Sequence, residues 1–125
     1  MKSLLLGAGS LLLILTIACG GSSSPSSPTP APPSSGSSST VSIPNGASFL
    51  TTTAFSPDVD DVTVGTTVTW TNNDSTAHTS VSDQPGWDSG TFAPGRSFSF
   101  TFSNAGTFTY HCAIHPGMVG TIVVH

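Results

Sequence analysis

Near the C-terminal end of the chain, Cys112, His115 and Met118 stand at C-x2-H-x2-M spacing within "YHCAIHPGM". A loop that short can turn a thiol, an imidazole and a thioether toward one point. His78, in "NNDSTAHTSVS", offers a second imidazole if its loop meets the first one at the same end of the domain. Two imidazoles, a thiolate and a thioether discriminate between metals. Zinc prefers four good N, S or O donors and has little use for a thioether, while calcium and magnesium take oxygen. A His2Cys plane with a weak axial Met suits copper, in a geometry between those favoured by Cu(I) and Cu(II). The chemistry of such a site is one-electron transfer with little rearrangement.

The elements that must position these side chains are strands. In "VTVGTTVTW", Val62, Val64, Val68 and Trp70 alternate with threonines and polar residues, which predicts half-buried antiparallel strands around a turn at Gly65. "SFSFTF" repeats the pattern with Phe98, Phe100 and Phe102, and "GTIVVH" with Ile122 and Val124. "GTFTYHC" puts Phe108, Tyr110 and Cys112 on one face and His111 on the other, so the Cys112 sulfur points inward from a strand end while His111 is left out. His125 ends the chain and is also read as a non-ligand. Turn signals at "SPD", "TNNDS", "DQPG", "APG" and "NAG" separate the runs, and no segment has a helical period. Short, regularly spaced strands with this punctuation predict a sandwich or barrel. Asp60 shares the parity of Val62 and Val64 in "DVDDVTV", so a strand start or bulge near Asp61, with the aspartates in water, is expected there.

Residues 41–125 form the predicted domain, and the chain ahead of it reads differently. Residues 1–18 have the pattern of an export signal, with Lys2 followed by the apolar run "LLLGAGSLLLILTIA". "LTIAC" resembles the lipobox of bacterial lipoproteins, which implies a diacylated Cys19 as the mature N-terminus and a membrane anchor; Thr16 departs from the usual leucine. Residues 19–40, rich in Ser, Pro, Gly and Thr, read as a disordered tether with a reach of about 60 Å. With two cysteines in the chain and one of them at position 19, Cys112 is alone in the domain. In an oxidising, exported setting a lone thiol is a liability unless it is buried, modified or metal-bound.

Charge narrows the partners further. Arg96 is the one strong base of the domain against six aspartates, which argues against nucleic acid, whose phosphates require clustered Lys and Arg.

The domain resembles the cupredoxins, the small blue copper proteins of the plastocyanin, pseudoazurin and amicyanin group. The resemblance runs through "AFSPD", "VGTTVTWTNND", "AHT", "DSGTFAPGRSFSFTFSNAGTFTYHC" and "HPGMVGTIVV", and the close Cys, His and Met spacing is most like the amicyanin ligand loop. It implies an all-β, Greek-key β-sandwich and one type 1 copper, with His78 and His115 as imidazole ligands, Cys112 as thiolate and Met118 as axial thioether. It further implies a monomeric electron carrier, not an enzyme, and the N-terminal signal adds export to the periplasm or cell surface. Redox proteins would dock transiently on the apolar patch around His115. Thr79 stands where the family often has an Asn that ties the two ligand loops together, and its hydroxyl is the candidate substitute. The rival readings are a copper-delivery or resistance protein, and a structural sandwich with a relic or zinc-loaded site.

Overall fold

The computed structural model describes residues 36–125. The signal segment 1–18, Cys19 and most of the 19–40 linker lie outside the described residues. Strands follow in the order β1 (Ser38–Ile43), β2 (Val59–Val62), β3 (Thr67–Asn72), β4 (Val81–Ser82), β5 (Ser97–Thr101), β6 (Gly106–His111) and β7 (Val119–Val124), with one 3-10 turn at Ala47–Phe49. They make two sheets, ordered β1-β3-β5 and β2-β7-β6-β4, the expected all-β sandwich. Among the described residues no helix is long and apolar enough to cross a membrane.

Period-two alternation builds the core. Val41, Ile43, Val68, Trp70, Phe102, Tyr110, Ile122 and Val124 are buried between the sheets. Trp70 meets the Tyr110 ring edge-on at 5.5 Å and Trp87 at 5.5 Å, so the "PGWDSG" loop closes onto the core through its indole. The outward face of the first sheet is nearly all hydroxyl. Thr67 pairs with Thr101, Thr69 with Ser99 and Thr71 with Ser97, at 2.8, 2.8 and 3.1 Å across β3 and β5. Such cross-strand pairs pin the register that delivers Asn72, and the loop after it, to the ligand end.

Three expectations are corrected. The strands on either side of Gly65 do not pair: β2 runs parallel to β7, whereas β3 lies in the other sheet between β1 and β5. The Gly65 turn crosses between sheets and leaves Val64 exposed. Asp60 is not in water. It lies inside regular β2, buried beside Val62, and its Oδ2 accepts a hydrogen bond from Ser39 Oγ at 2.6 Å. Finally, β1 begins at Ser38, so residues 38–40, read as linker, are strand, paired with Thr67, Val68 and Thr69. Backbone pairing to β3 orders those Ser and Thr residues despite their lack of apolar surface.

Gly120 is required for space. It faces Tyr110 across β6 and β7, and a Cβ at this position would lie 2.6 Å from Cζ and Oη of that ring. Burial pushes the Tyr110 hydroxyl far above its ordinary pKa, with the Trp70 indole opposing the rise and the Asp60 and Asp58 carboxylates adding to it. The ring therefore stays a neutral, packed phenol. Gly120→Ala is expected to cost about 1–3 kcal/mol by overpacking, read as a lower denaturation midpoint with the slope unchanged.

Candidate metal centre

Two loops at one end of the sandwich carry the donors. The first leaves β3 at Asn72, whose buried carboxamide organises it. Asn72 Nδ2 donates to the carbonyls of Thr76 at 2.8 Å and Phe92 at 3.2 Å, and its Oδ1 accepts the Asp74 N–H at 2.9 Å. His78 is then clamped by backbone bonds in both directions to Phe92, at 3.2 and 2.9 Å. Its ring is fully buried.

Asp74 fixes how that ring is used. Its Oδ2 lies 2.8 Å from His78 Nε2, and its Oδ1 accepts the N–H groups of Gly46 at 3.0 Å and Ser75 at 2.7 Å. Gly46 holds a left-handed φ of 81°, which glycine adopts without strain. Burial pushes the Asp74 carboxyl up, but the Gly46, His78 and Ser75 donors outweigh it and hold the pKa at about 2. A carboxylate at Nε2 keeps the proton there and leaves the Nδ1 lone pair free, the arrangement typical of a metal-ligating histidine.

The second loop follows β6. The Cys112 N–H donates to the Met118 carbonyl at 3.1 Å, and the Met118 N–H donates to that of His115 at 2.9 Å, closing the turn on itself. Cys112 and Met118 are fully buried, while His115 is half-buried among exposed Ala113, Ile114, Pro116 and Gly117.

The loops converge. The Cys112 sulfur lies 3.8 Å from His78 Nδ1 and 3.8 Å from His115 Nδ1, and the three donor atoms fall within 4.8 Å of one another. With metal–nitrogen and metal–sulfur lengths of about 2.0 and 2.3 Å, a trigonal ion would place nitrogen and sulfur about 3.7 Å apart. Both sulfur–nitrogen separations therefore fit a bound metal. Thr79 ties the loops together: its N–H points at the Cys112 sulfur at 3.3 Å, and its Oγ1 accepts the Ala113 N–H at 2.7 Å. His111 and His125 stay outside the cluster, bonded to Asp83 at 2.6 Å and to Asp61 at 3.0 Å.

Sequence reasoning missed Asn72, Asp74 and Phe49. Phe49 sits on the 3-10 turn that starts next to Gly46, and it is 93% exposed. Thr51, two residues on, accepts the Val119 N–H just beyond Met118, so the segment spans from behind His78 to the ligand loop.

Comparison with known proteins agrees with this geometry. The model of the copper-binding proteins of the plastocyanin/azurin family matches residues 45–125. A plastocyanin from Scenedesmus fuscus is 39% identical over 83 residues, covering 56% of this chain and 85% of its own length. An amicyanin from Paracoccus denitrificans is 37% identical over 68 residues, 50% of this chain, and there the match spans about half of the relative, 52%. Among solved structures, a purple cupredoxin from Nitrosopumilus maritimus superposes with a TM-score of 0.66 at 34% identity, covering 70% of this chain and 99% of that one.

Proposed function

The chain belongs to the plastocyanin/azurin family of copper-binding proteins, and from that premise we propose that it carries single electrons between redox proteins through one type 1 copper. The observation that carries the reading is the convergence of buried His78 and Cys112 with half-buried His115, each imidazole Nδ1 lying 3.8 Å from the sulfur. Met118, buried in the same loop, is proposed as the axial thioether. Copper held there supplies the Cu(I)/Cu(II) couple.

The residues around the donors favour a carrier over a delivery protein. Cys112, His78 and Met118 are closed from solvent, so an ion held by them is retained and not readily handed on. Asp74 holds the His78 ring from behind and Thr79 braces the backbone next to Cys112, which limits how far these two donors can shift when an electron is gained or lost.

His115 is the proposed electron port. It reaches the surface among Ala113, Ile114, Pro116 and Gly117. None of those residues is charged, so a partner docks by apolar contact with a short lifetime. Export, acylation of Cys19 and tethering by residues 19–37 complete the proposal, and they rest on the "LTIAC" and Ser/Pro-rich sequence.

The test is direct. Cu(II) added to the metal-free protein is expected to develop an intense visible thiolate-to-copper band that ascorbate bleaches and reoxidation restores. A protein that binds copper without the band, or that loses it irreversibly on one cycle, is not an electron carrier.

A further inference from the structure

Deepening the carrier reading, on which the redox part of this inference rests, we propose that the Thr79 hydroxyl donates a second hydrogen bond to the Cys112 sulfur and so raises the potential of the centre. Thr79 is 5% exposed, so its hydroxyl proton cannot be left to bulk water. The oxygen has one proton and two lone pairs. One lone pair accepts the Ala113 N–H at 2.7 Å, which fixes the group from the acceptor side. The proton then needs an acceptor, and among the described residues the one within reach of Oγ1 is the Cys112 sulfur, at 3.7 Å. That separation is one the large sulfur atom allows.

The Thr79 N–H already points at the same sulfur at 3.3 Å, so a single residue delivers two donors to one thiolate. The hydroxyl donor belongs to the side chain and can be removed without touching the backbone bond.

Two donors on a thiolate act unequally on the two oxidation states. In the oxidised centre the sulfur shares part of its charge with the metal; in the reduced centre it keeps more of that charge. A hydrogen bond to an ionised acceptor strengthens with the charge it meets, so the hydroxyl favours the reduced form and raises the potential. It also lowers the energy of the sulfur lone pairs and moves the thiolate-to-copper band to shorter wavelength. Thr79 is thus a positioning residue: it touches the sulfur, not the metal.

The experiment compares Thr79→Val, which keeps the branched shape and loses the hydroxyl, with Thr79→Ser, which keeps the hydroxyl. Thr79→Val is expected to lower the midpoint potential by the equivalent of about fivefold to tenfold in the ratio of reduced to oxidised protein, about 40–60 mV at 59 mV per tenfold. The band should move to longer wavelength, and Thr79→Ser should restore both values. A second readout needs no copper. Proton NMR of the metal-free protein should show a slowly exchanging Thr79 hydroxyl proton with a cross-peak to the Cys112 β-protons, present in wild type and absent from Thr79→Val. Equal potentials and band maxima in the Val and Ser variants would overturn the tuning role even if Thr79→Val is less stable, because stability alone follows from stranding the Ala113 N–H. A hydroxyl proton in fast exchange with water would overturn the assignment itself. A wild-type protein that shows no band would overturn the carrier reading instead, with the NMR signal still deciding where the hydroxyl points.

Discussion

Cys112→Ala is expected to leave a protein that takes up Cu(II) without developing intense colour. His78 and His115 remain, with ring centroids 5.0 Å apart, and two imidazoles can still bind the ion. The band, however, requires sulfur orbitals, and Cys112 is the free cysteine among the described residues. The same substitution is expected to weaken the metal-free protein. Thr79 loses the acceptor for both its N–H and its hydroxyl in a site closed to water, at a cost of about 1–3 kcal/mol for stranded donors. Because the sulfur is buried, its removal also leaves a small cavity, so the acceptor role is read from Cys112→Ser, which keeps an acceptor atom and is expected to recover part of the loss seen in Cys112→Ala. A variant that kept the band, or a metal-free variant as stable as wild type, would contradict this account.

Asp74→Asn is expected to lower copper affinity about 10–100-fold, the usual consequence of losing the partner behind a ligating imidazole. The carboxylate accepts at His78 Nε2 and keeps the Nδ1 lone pair available. A carboxamide can present an N–H to Nε2 in its place, which drives the proton to Nδ1, the atom that faces the Cys112 sulfur. Competition with a copper chelator measures the loss, and the His78 tautomer is visible in nitrogen NMR shifts. There is also a pH signature. The Asp74 pKa is depressed from 3.8 to about 2, so its contribution to stability is fully present above about pH 4 and disappears as pH falls through 2. In metal-free protein, that part of the acid-unfolding slope should be absent from Asp74→Asn. Retained affinity together with an unchanged acid limb would remove Asp74 from the role given to it.

The meeting of Cys112 with His115 was legible because the chain concentrates candidate donors: both fall in one short loop, and strand parity puts Cys112 inward and His111 outward. The support behind them was not. Asp74 sits in "TNNDS", where every residue is a turn former, and nothing local says that its carboxylate will turn back onto a ring four residues later. The two misreadings near the start of the domain have one cause. Parity points Asp60 inward, whereas the cost of burying a charge without a partner argues for water. Its partner, Ser39, lay in the stretch assigned to the linker. Long-range pairing decides both positions at once, since β1 carries Ser39 to Asp60 only when it is laid along β3. The crossing at Gly65 has a similar origin: alternation marks a strand but not the sheet that receives it.

The parallel course of β1 also settles how the molecule can be held. Ser38 lies beside Thr67 and Ile43 beside Asn72, so the chain enters the fold about 16 Å of strand away from the pole where the imidazoles gather. A short arm attached immediately ahead of Ser38, on a resin or an electrode, holds the body at the pole opposite the imidazoles and leaves His115 accessible. Immobilisation through that arm should therefore preserve electron exchange with a dissolved partner, while attachment through a cysteine introduced at Ile114 should suppress it.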